Sequence, residues 1–255
     1  MTQAIVFFDL GGTLLTSRQQ VQPSALAAIK QLQANEILPV IATGKSLFAI
    51  QPLLALTGID TVVSANGSNV QYRGRTLVNE VVPQRTVQAV SDFATAQGDP
   101  IAWYTPQACG VSQPSPETRA AYRAQGLTPA VTATWADQRA INFMFVFNRD
   151  RDALYQQAFA ETLTFVRNSH YGLDTMRAGV SKRSGIAHLL QHAALAGVPT
   201  YGFGDALNDL EMLDQLAHPI VMGNGSDAAK AHAAYITGTN DADGIAQGLR
   251  HFGLI

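Results

Sequence analysis

The 255-residue sequence has a single cysteine, Cys109, which excludes an internal disulfide and a cysteine-built metal cluster. The lone thiol is expected to be a small buried apolar side chain. Charge is also scarce: Asp, Glu, Lys and Arg make up 14% of the residues, with 19 acidic against 17 basic and a formal net charge of -2. A nucleic-acid binder needs clustered Lys and Arg to neutralise phosphates, and this balance supplies no such footprint. Long apolar runs are missing as well. A membrane span takes about 18 or more consecutive apolar residues, whereas the most apolar stretch, residues 140–147, is short and interrupted by Asn142. The first residues lack a basic segment and reach Asp9 after a few apolar positions, unlike a secretory leader. The expectation is a cytoplasmic protein that engages neither nucleic acid nor membrane. No repeat and no low-complexity tract is present, which sets aside solenoids and tails.

What the sequence does have is 47% hydrophobic residues arranged in alternating strands and helices, so it is a folded globular chain rather than a disordered one. Ile5, Val6, Phe7 and Phe8 form an apolar run that stops at Asp9, as in a strand buried on both faces. Pro23 opens a helix carrying Leu26, Ile29 and Leu32 at near-helical spacing. Residues 38–42 give a second strand ending at Thr43 and Gly44, residues 46–56 a helix, and residues 59–64 a third strand ending at Asn66 and Gly67. Residues 70–78 read as a hairpin turning at Arg73 and Gly74. This is the βαβ rhythm of a right-handed, doubly wound parallel sheet.

The rhythm changes after Pro83. Helix-like residues 86–96 are followed by strand-like 101–104 and 110–112, and by a helix over 116–125 with Ser115 as its N-cap. A strand over 141–147, a helix over 152–162 and short strands near Thr164 and Leu173 complete this part. From Lys182 the first rhythm returns: a helix to Ala196 closed by Gly197, strands over 200–203 and 220–222, and a last helix. The expected fold is therefore α/β, a Rossmann-like core of residues 1–80 and 179–255, with an inserted α+β cap over residues 81–178.

In an open parallel sheet, ligands bind outside the carboxyl ends of the strands. Asp9, Thr43, Asn66 and Asp205 all stand there, and Lys182 opens the helix that returns from the insert. Two carboxylates, a hydroxyl and an ammonium could meet in one crevice. Oxygen ligands with few nitrogen or sulfur donors suit a hard cation such as Mg2+, bound through carboxylates and phosphate. A carboxylate beside a cation and a lysine can attack phosphorus and form an acyl-phosphate that water cleaves.

Asp9 Leu10 Gly11 Gly12 Thr13 Leu14, Thr43 Gly44, Lys182 and Gly204 Asp205 Ala206 Leu207 Asn208 Asp209 stand in the order and context of the four motifs of the haloacid dehalogenase-like (HAD) phosphohydrolases, which the chain resembles. Asn66 Gly67 before a hairpin, the position of the insert, Val221 Met222 Gly223 Asn224 and Asp243 Gly244 Ile245 resemble the Cof-type subfamily with its type IIB cap. The resemblance spans the whole chain. It implies Asp9 as nucleophile, Thr43 as donor to a phosphoryl oxygen and Lys182 as the group orienting both. It implies Mg2+ bound through Asp9, the Gly11 carbonyl and Asp205, with Asp209 and Asn208 holding metal waters or Lys182. Gly12, Gly44, Lys45, Asn66, Gly67 and Asn208 are the implied phosphate or substrate contacts, and the cap supplies specificity. The implied ligand is a small phosphorylated metabolite, a sugar or nucleotide phosphate, and the protein a monomer or weak homodimer.

Two positions depart from the family pattern. Where its phosphatases carry a second aspartate that protonates the leaving oxygen and then activates water, this chain has Gly11, which removes a general acid and base worth typically 10²- to 10⁴-fold. Neither Thr13 nor Thr16 replaces it, because a hydroxyl is a poor acid near neutral pH. Lys45 stands where the family often has Arg, so a bidentate fork becomes a point charge. The expectation is a slow phosphatase; a ligand-binding protein without turnover and, more remotely, a phosphomutase are the alternatives.

Blander readings compete at single sites. Asp205 could N-cap the helix starting near Leu207, and Asn66 Gly67 is a turn signal before it is a contact. Gly223 Asn224 Gly225 Ser226 Asp227 Ala228 formally matches a dinucleotide fingerprint, but too little sheet follows it. His188 and His192 lie one helical turn apart with no third ligand in sight and read as a helix-face pair.

Overall fold

The computed structural model describes residues 2–255. Two sheets divide the chain. The first is built on β1 (Ile5–Phe8), every residue of which is buried, flanked in parallel register by β2 (Leu38–Ala42). Alternation along β1 sends Val6 and Phe8 to one face and Ile5 and Phe7 to the other. The first face is covered by α1 (Pro23–Ala34), where Pro23 sits at N1 and Ala25, Ala28, Ile29 and Leu32 recur at helical spacing as its buried stripe.

Between β2 and β3 (Val62–Ser64) the expected single helix is two pieces, a 3-10 turn over Leu47–Ile50 and α2 (Gln51–Thr57). Pro52 has no N–H to carry a helix through from residue 46, and it serves instead near the start of α2. β3 is also shorter than expected, and then β4 (Asn69–Tyr72) and β5 (Arg75–Asn79) form the antiparallel hairpin at the sheet edge.

The second sheet follows α3 (Gln84–Gln97). Its strands are β6 (Ile101–Tyr104), β7 (Cys109–Val111), β8 (Ala130–Val131), β9 (Phe143–Phe147), β10 (Leu163–Ser169) and β11 (Gly172–Arg177), in the order β10-β11-β9-β6-β7-β8. Two helices lie between them in sequence, α4 (Pro116–Ala124) and α5 (Asp152–Ala158). The expected cap of α4 is present: Ser115 Oγ accepts from the Thr118 N–H at 3.1 Å, and Thr118 Oγ1 from the Ser115 N–H at 2.7 Å. Val87, Val90 and Ala94 of α3 and Tyr155 of α5 pack with Trp103, Met144, Val146 and Leu173 on one face of this sheet. The opposite face carries Ala102, Tyr104, Phe143, Phe147 and Met176, and meets Ala65 and Phe48 of the first sheet's loops. Cys109 is buried among them, as expected, and burial pushes its thiol up to about 11.

The chain then returns through α6 (Lys182–His192), β12 (Thr200–Gly204), α7 (Leu210–Leu213), β13 (His218–Val221), α8 (Asp227–Lys230), β14 (Tyr235–Ile236) and α9 (Gly244–His251). α6 ends four residues earlier than expected, before Ala194 turns to φ 52. The sheet order β14-β13-β12-β1-β2-β3-β4-β5 places β12 on one side of β1 and β2 on the other. Connections thus leave β1 in both directions, and the crevice at the carboxyl ends of β12, β1 and β2 is a topological switch point. Among the described residues no helix is long and apolar enough to cross a membrane.

Candidate active site

Asp9 is the first residue past β1 and Asp205 the first past β12, so the parallel pairing of those strands sets the two carboxylates side by side. Lys182 opens α6, whose start is fixed by a reciprocal cap: Ser181 Oγ accepts from the Ser184 N–H at 3.3 Å and Ser184 Oγ from the Ser181 N–H at 2.9 Å. Its ammonium donates to Asp9 Oδ1 at 2.6 Å and to Asp209 Oδ1 at 2.7 Å. All three are enclosed, with Asp9 6%, Lys182 2% and Asp209 0% exposed.

Asp209 occupies both its oxygens. Oδ2 accepts from the backbone N–H groups of Asp205 at 3.0 Å and Ala206 at 3.2 Å, which locks the turn that follows β12. The capping role weighed for Asp205 therefore falls to Asp209. The Asp205 carboxylate instead accepts from Thr13 Oγ1 at 2.9 Å across the crevice. Carboxylate oxygens of Asp9, Asp205 and Asp209 lie within 4.8 Å of one another, with the Lys182 ammonium bonded to two of the three. Burial and then the Asp209 charge push the Asp9 carboxyl up to about 7, against the pull of Lys182. Burial likewise pushes Asp205 up to about 6. Asp209 and Asp9 hold Lys182 above its ordinary range even though burial opposes this. An all-oxygen cluster of three carboxylates with such excess negative charge fits a hard divalent cation.

Two glycines permit this packing. Gly12 has φ +74, and a Cβ on it would sit 2.3 Å from Asp205 Oδ2. Gly67, at φ +93, would place a Cβ 2.1 Å from the Ser181 carbonyl, so it brings the turn after β3 against the start of α6. Gly11 is different: a Cβ there would meet nothing within 4 Å.

Thr43 is buried at the end of β2, and its Oγ1 accepts from the Lys45 N–H at 3.1 Å. Burial lowers the Lys45 ammonium, with the Asp9 charge opposing. Asn66, at φ 51, donates through Nδ2 to Asp174 Oδ2 of β11 at 2.7 Å. A Cβ on Gly44 would lie 3.3 Å from that same Asp174 oxygen. Asn208 stands exposed on the turn and outside the Asp9–Lys182–Asp209 network.

Sequence reasoning did not single out Asp174. The available signal was one carboxylate between Leu173 and Met176, in a segment whose only other polar residue is Thr175. Asn224 acquires a defined place as well: its Nδ2 donates to the Gly12 carbonyl at 2.8 Å, pinning the loop after β1. Its Oδ1 accepts from the Asn240 N–H at 2.9 Å. The glycines beside Asn224 serve close packing rather than a dinucleotide, since a Cβ on Gly225 would lie 2.9 Å from the Met222 carbonyl. His188 and His192 stack at 6.0 Å on α6, as a helix-face pair.

A family model for haloacid dehalogenase-like hydrolases matches residues 6–249, and the chain belongs to that family. Along its length it is similar to the pyridoxal phosphate phosphatase YbhA of Escherichia coli (strain K12), 27% identical over 266 residues and covering 97% of each chain. Among solved structures it resembles the HAD subclass IIB sugar phosphatase BT4131, with TM-score 0.87, 26% identity, and 99% of this chain and 100% of that one covered. It also resembles a Geobacillus kaustophilus HTA426 protein, with TM-score 0.91, 29% identity, and 99% and 100% covered. The chain is a phosphoric monoester hydrolase of this family, with the type IIB fold of a parallel core and a cap.

Proposed function

We propose that this protein is a Mg2+-dependent phosphatase of small phosphorylated metabolites that works through an aspartyl-phosphate on Asp9, with residues 81–178 as the cap. The observation that carries the reading is the Lys182 ammonium held between Asp9 and Asp209. It fixes Asp9 Oδ1 and so presents the other carboxylate oxygen to phosphorus. The Thr43 hydroxyl and the Lys45 ammonium donate to the phosphoryl oxygens, and Asp209 keeps Lys182 and the Asp205 turn in place. Asp9, Asp205 and the Gly11 carbonyl are the residues that would hold Mg2+, which neutralises charge on the transferred group.

Turnover is slow in this reading, because Gly11 offers no side chain to protonate the leaving oxygen or to activate water. The same glycine favours a second reading, a protein that holds a phosphorylated ligand without releasing phosphate. Phosphate release from a panel of phosphorylated metabolites decides between them. Mg2+-dependent release that is abolished by EDTA and by Asp9→Asn supports the phosphatase; saturable binding with no release supports the binder. We place the protein in the cytoplasm as a monomer or weak homodimer, without a nucleic-acid or membrane partner.

A further inference from the structure

Two features of the site bear on the leaving group. The first is Gly11. Nothing lies within 4 Å of its Cβ position, so no side chain from elsewhere stands where one on residue 11 would begin. The second is the face that the second sheet turns towards the crevice. Asp174 of β11 reaches the core at Asn66 and Gly44, and its cross-strand partner in β9 is the half-buried Phe145. Phe143 and Tyr104 continue that face, with ring centroids 5.2 Å apart, and Phe48, five residues beyond Thr43, stacks on Tyr104 at 6.4 Å. The arginines of β10 and β11 are engaged elsewhere, Arg167 with Asp152 and Arg177 with Glu80. The surface beside Thr43 and Asn66 thus offers the half-buried Phe145 and Phe48, backed by the buried Phe143 and Tyr104, and carries a carboxylate.

Resting on the phosphatase reading above, we propose that the substrates are phosphate esters of acidic hydroxyls on planar rings, phenols or hydroxylated heterocycles, and not alkyl or sugar phosphates. In the first step an Asp9 carboxylate oxygen bonds to phosphorus and the ester P–O bond breaks. The leaving oxygen keeps the electron pair and departs as an aryloxide, taking its proton from solvent afterwards. An alkoxide is far too basic to leave that way without an acid, whereas an aryloxide is not. In the second step water bonds to phosphorus, the P–O bond to Asp9 breaks, phosphate leaves and the water's proton passes to solvent. The half-buried Phe145 and Phe48 offer a planar ring an aromatic surface, and the Asp174 carboxylate disfavours a leaving group that is already anionic in the bound ester, as in pyrophosphate, more than an aryl group that is neutral until the bond breaks.

The test compares phenyl, benzyl and cyclohexyl phosphate and inorganic pyrophosphate in the presence of Mg2+, for the protein and for Gly11→Asp. Phenyl and benzyl phosphate share a ring and differ in the acidity of the leaving oxygen. The expected result is a strong phenyl-over-benzyl preference in kcat/KM that shrinks by roughly 10²- to 10⁴-fold in Gly11→Asp. In Gly11→Asp, benzyl phosphate is expected to outpace cyclohexyl phosphate, and in neither protein does pyrophosphate outpace phenyl phosphate. Equal phenyl-to-benzyl ratios in the two proteins overturn the leaving-group inference alone, and so does preference for cyclohexyl phosphate or pyrophosphate. Absence of phosphate release from every compound in both proteins overturns the phosphatase reading itself, and this inference with it.

Discussion

Lys182 is the residue on which the site turns. It is buried with two carboxylates, Asp9 and Asp209, and taking out the ammonium leaves both facing each other in a medium of low polarity. Lys182→Met is expected to lower stability by about 3–5 kcal/mol in Mg2+-free buffer, read from urea unfolding. A loss under 1 kcal/mol would mean that the pair is not buried as described. Asp9→Asn keeps the shape and the Lys182 hydrogen bond but removes the proposed nucleophile, so phosphate release should drop to background while Lys182 stays in place. Cys109 gives the pH dependence a clear sign. Its folded value of about 11 lies above its ordinary 9.0, so its contribution to stability is complete below pH 9 and is lost as pH rises through about 11. The fall in urea midpoint between pH 9 and 11 should be smaller in Cys109→Ala than in the unaltered protein.

Elements place these residues, and glycines set how closely elements approach. Gly67→Ala forces a Cβ into the Ser181 carbonyl at a positive φ, so it should displace the start of α6 and cost more than 1 kcal/mol along with most activity. Gly11→Ala meets open space and should change stability by less than about 0.5 kcal/mol. Denaturant midpoints of the two variants, measured side by side, check this contrast; equal losses would refute it. At this scale the sequence was readable wherever a physical signal was long enough. The four buried residues of β1, the Pro23 start of α1 with Ile29 and Leu32 in its buried stripe and the Ser115 cap of α4 stand where their patterns put them, whereas Leu26 is only half-buried and Ala25 and Ala28 complete the stripe. β8 and β14 have two residues each, too few to show an alternation, and α7 and α8 have four, barely one turn. Their positions come from packing against longer neighbours.

For the whole molecule, enclosure has a consequence. Asp9 is 6% exposed and the Asn66–Asp174 hydrogen bond joins the two sheets, so on the phosphatase reading proposed above the second sheet is expected to swing away to admit substrate and to return. A compact chain of this length has a radius of gyration of about 18 Å. Small-angle scattering should give a larger value without ligand and a fall toward it when Mg2+ and a phosphate analogue such as vanadate are added. An unchanged radius would exclude the swing.

The sequence by itself determined the motif order, the polar residues at the strand ends and the glycines of the turn after β1, because each is a local feature tied to a strand end or a turn. It also fixed the two-part rhythm, since helical and strand periods differ over ten residues. What only the tertiary structure decided is which groups meet. Asp209 came to hold Lys182 and the Asp205 turn, Gly67 came to serve the approach of α6, and Asp174 was brought from β11 to Asn66, 108 residues away in sequence. Such meetings depend on how two sheets and a helix start are set against one another in space, and spacing along the chain does not encode that distance.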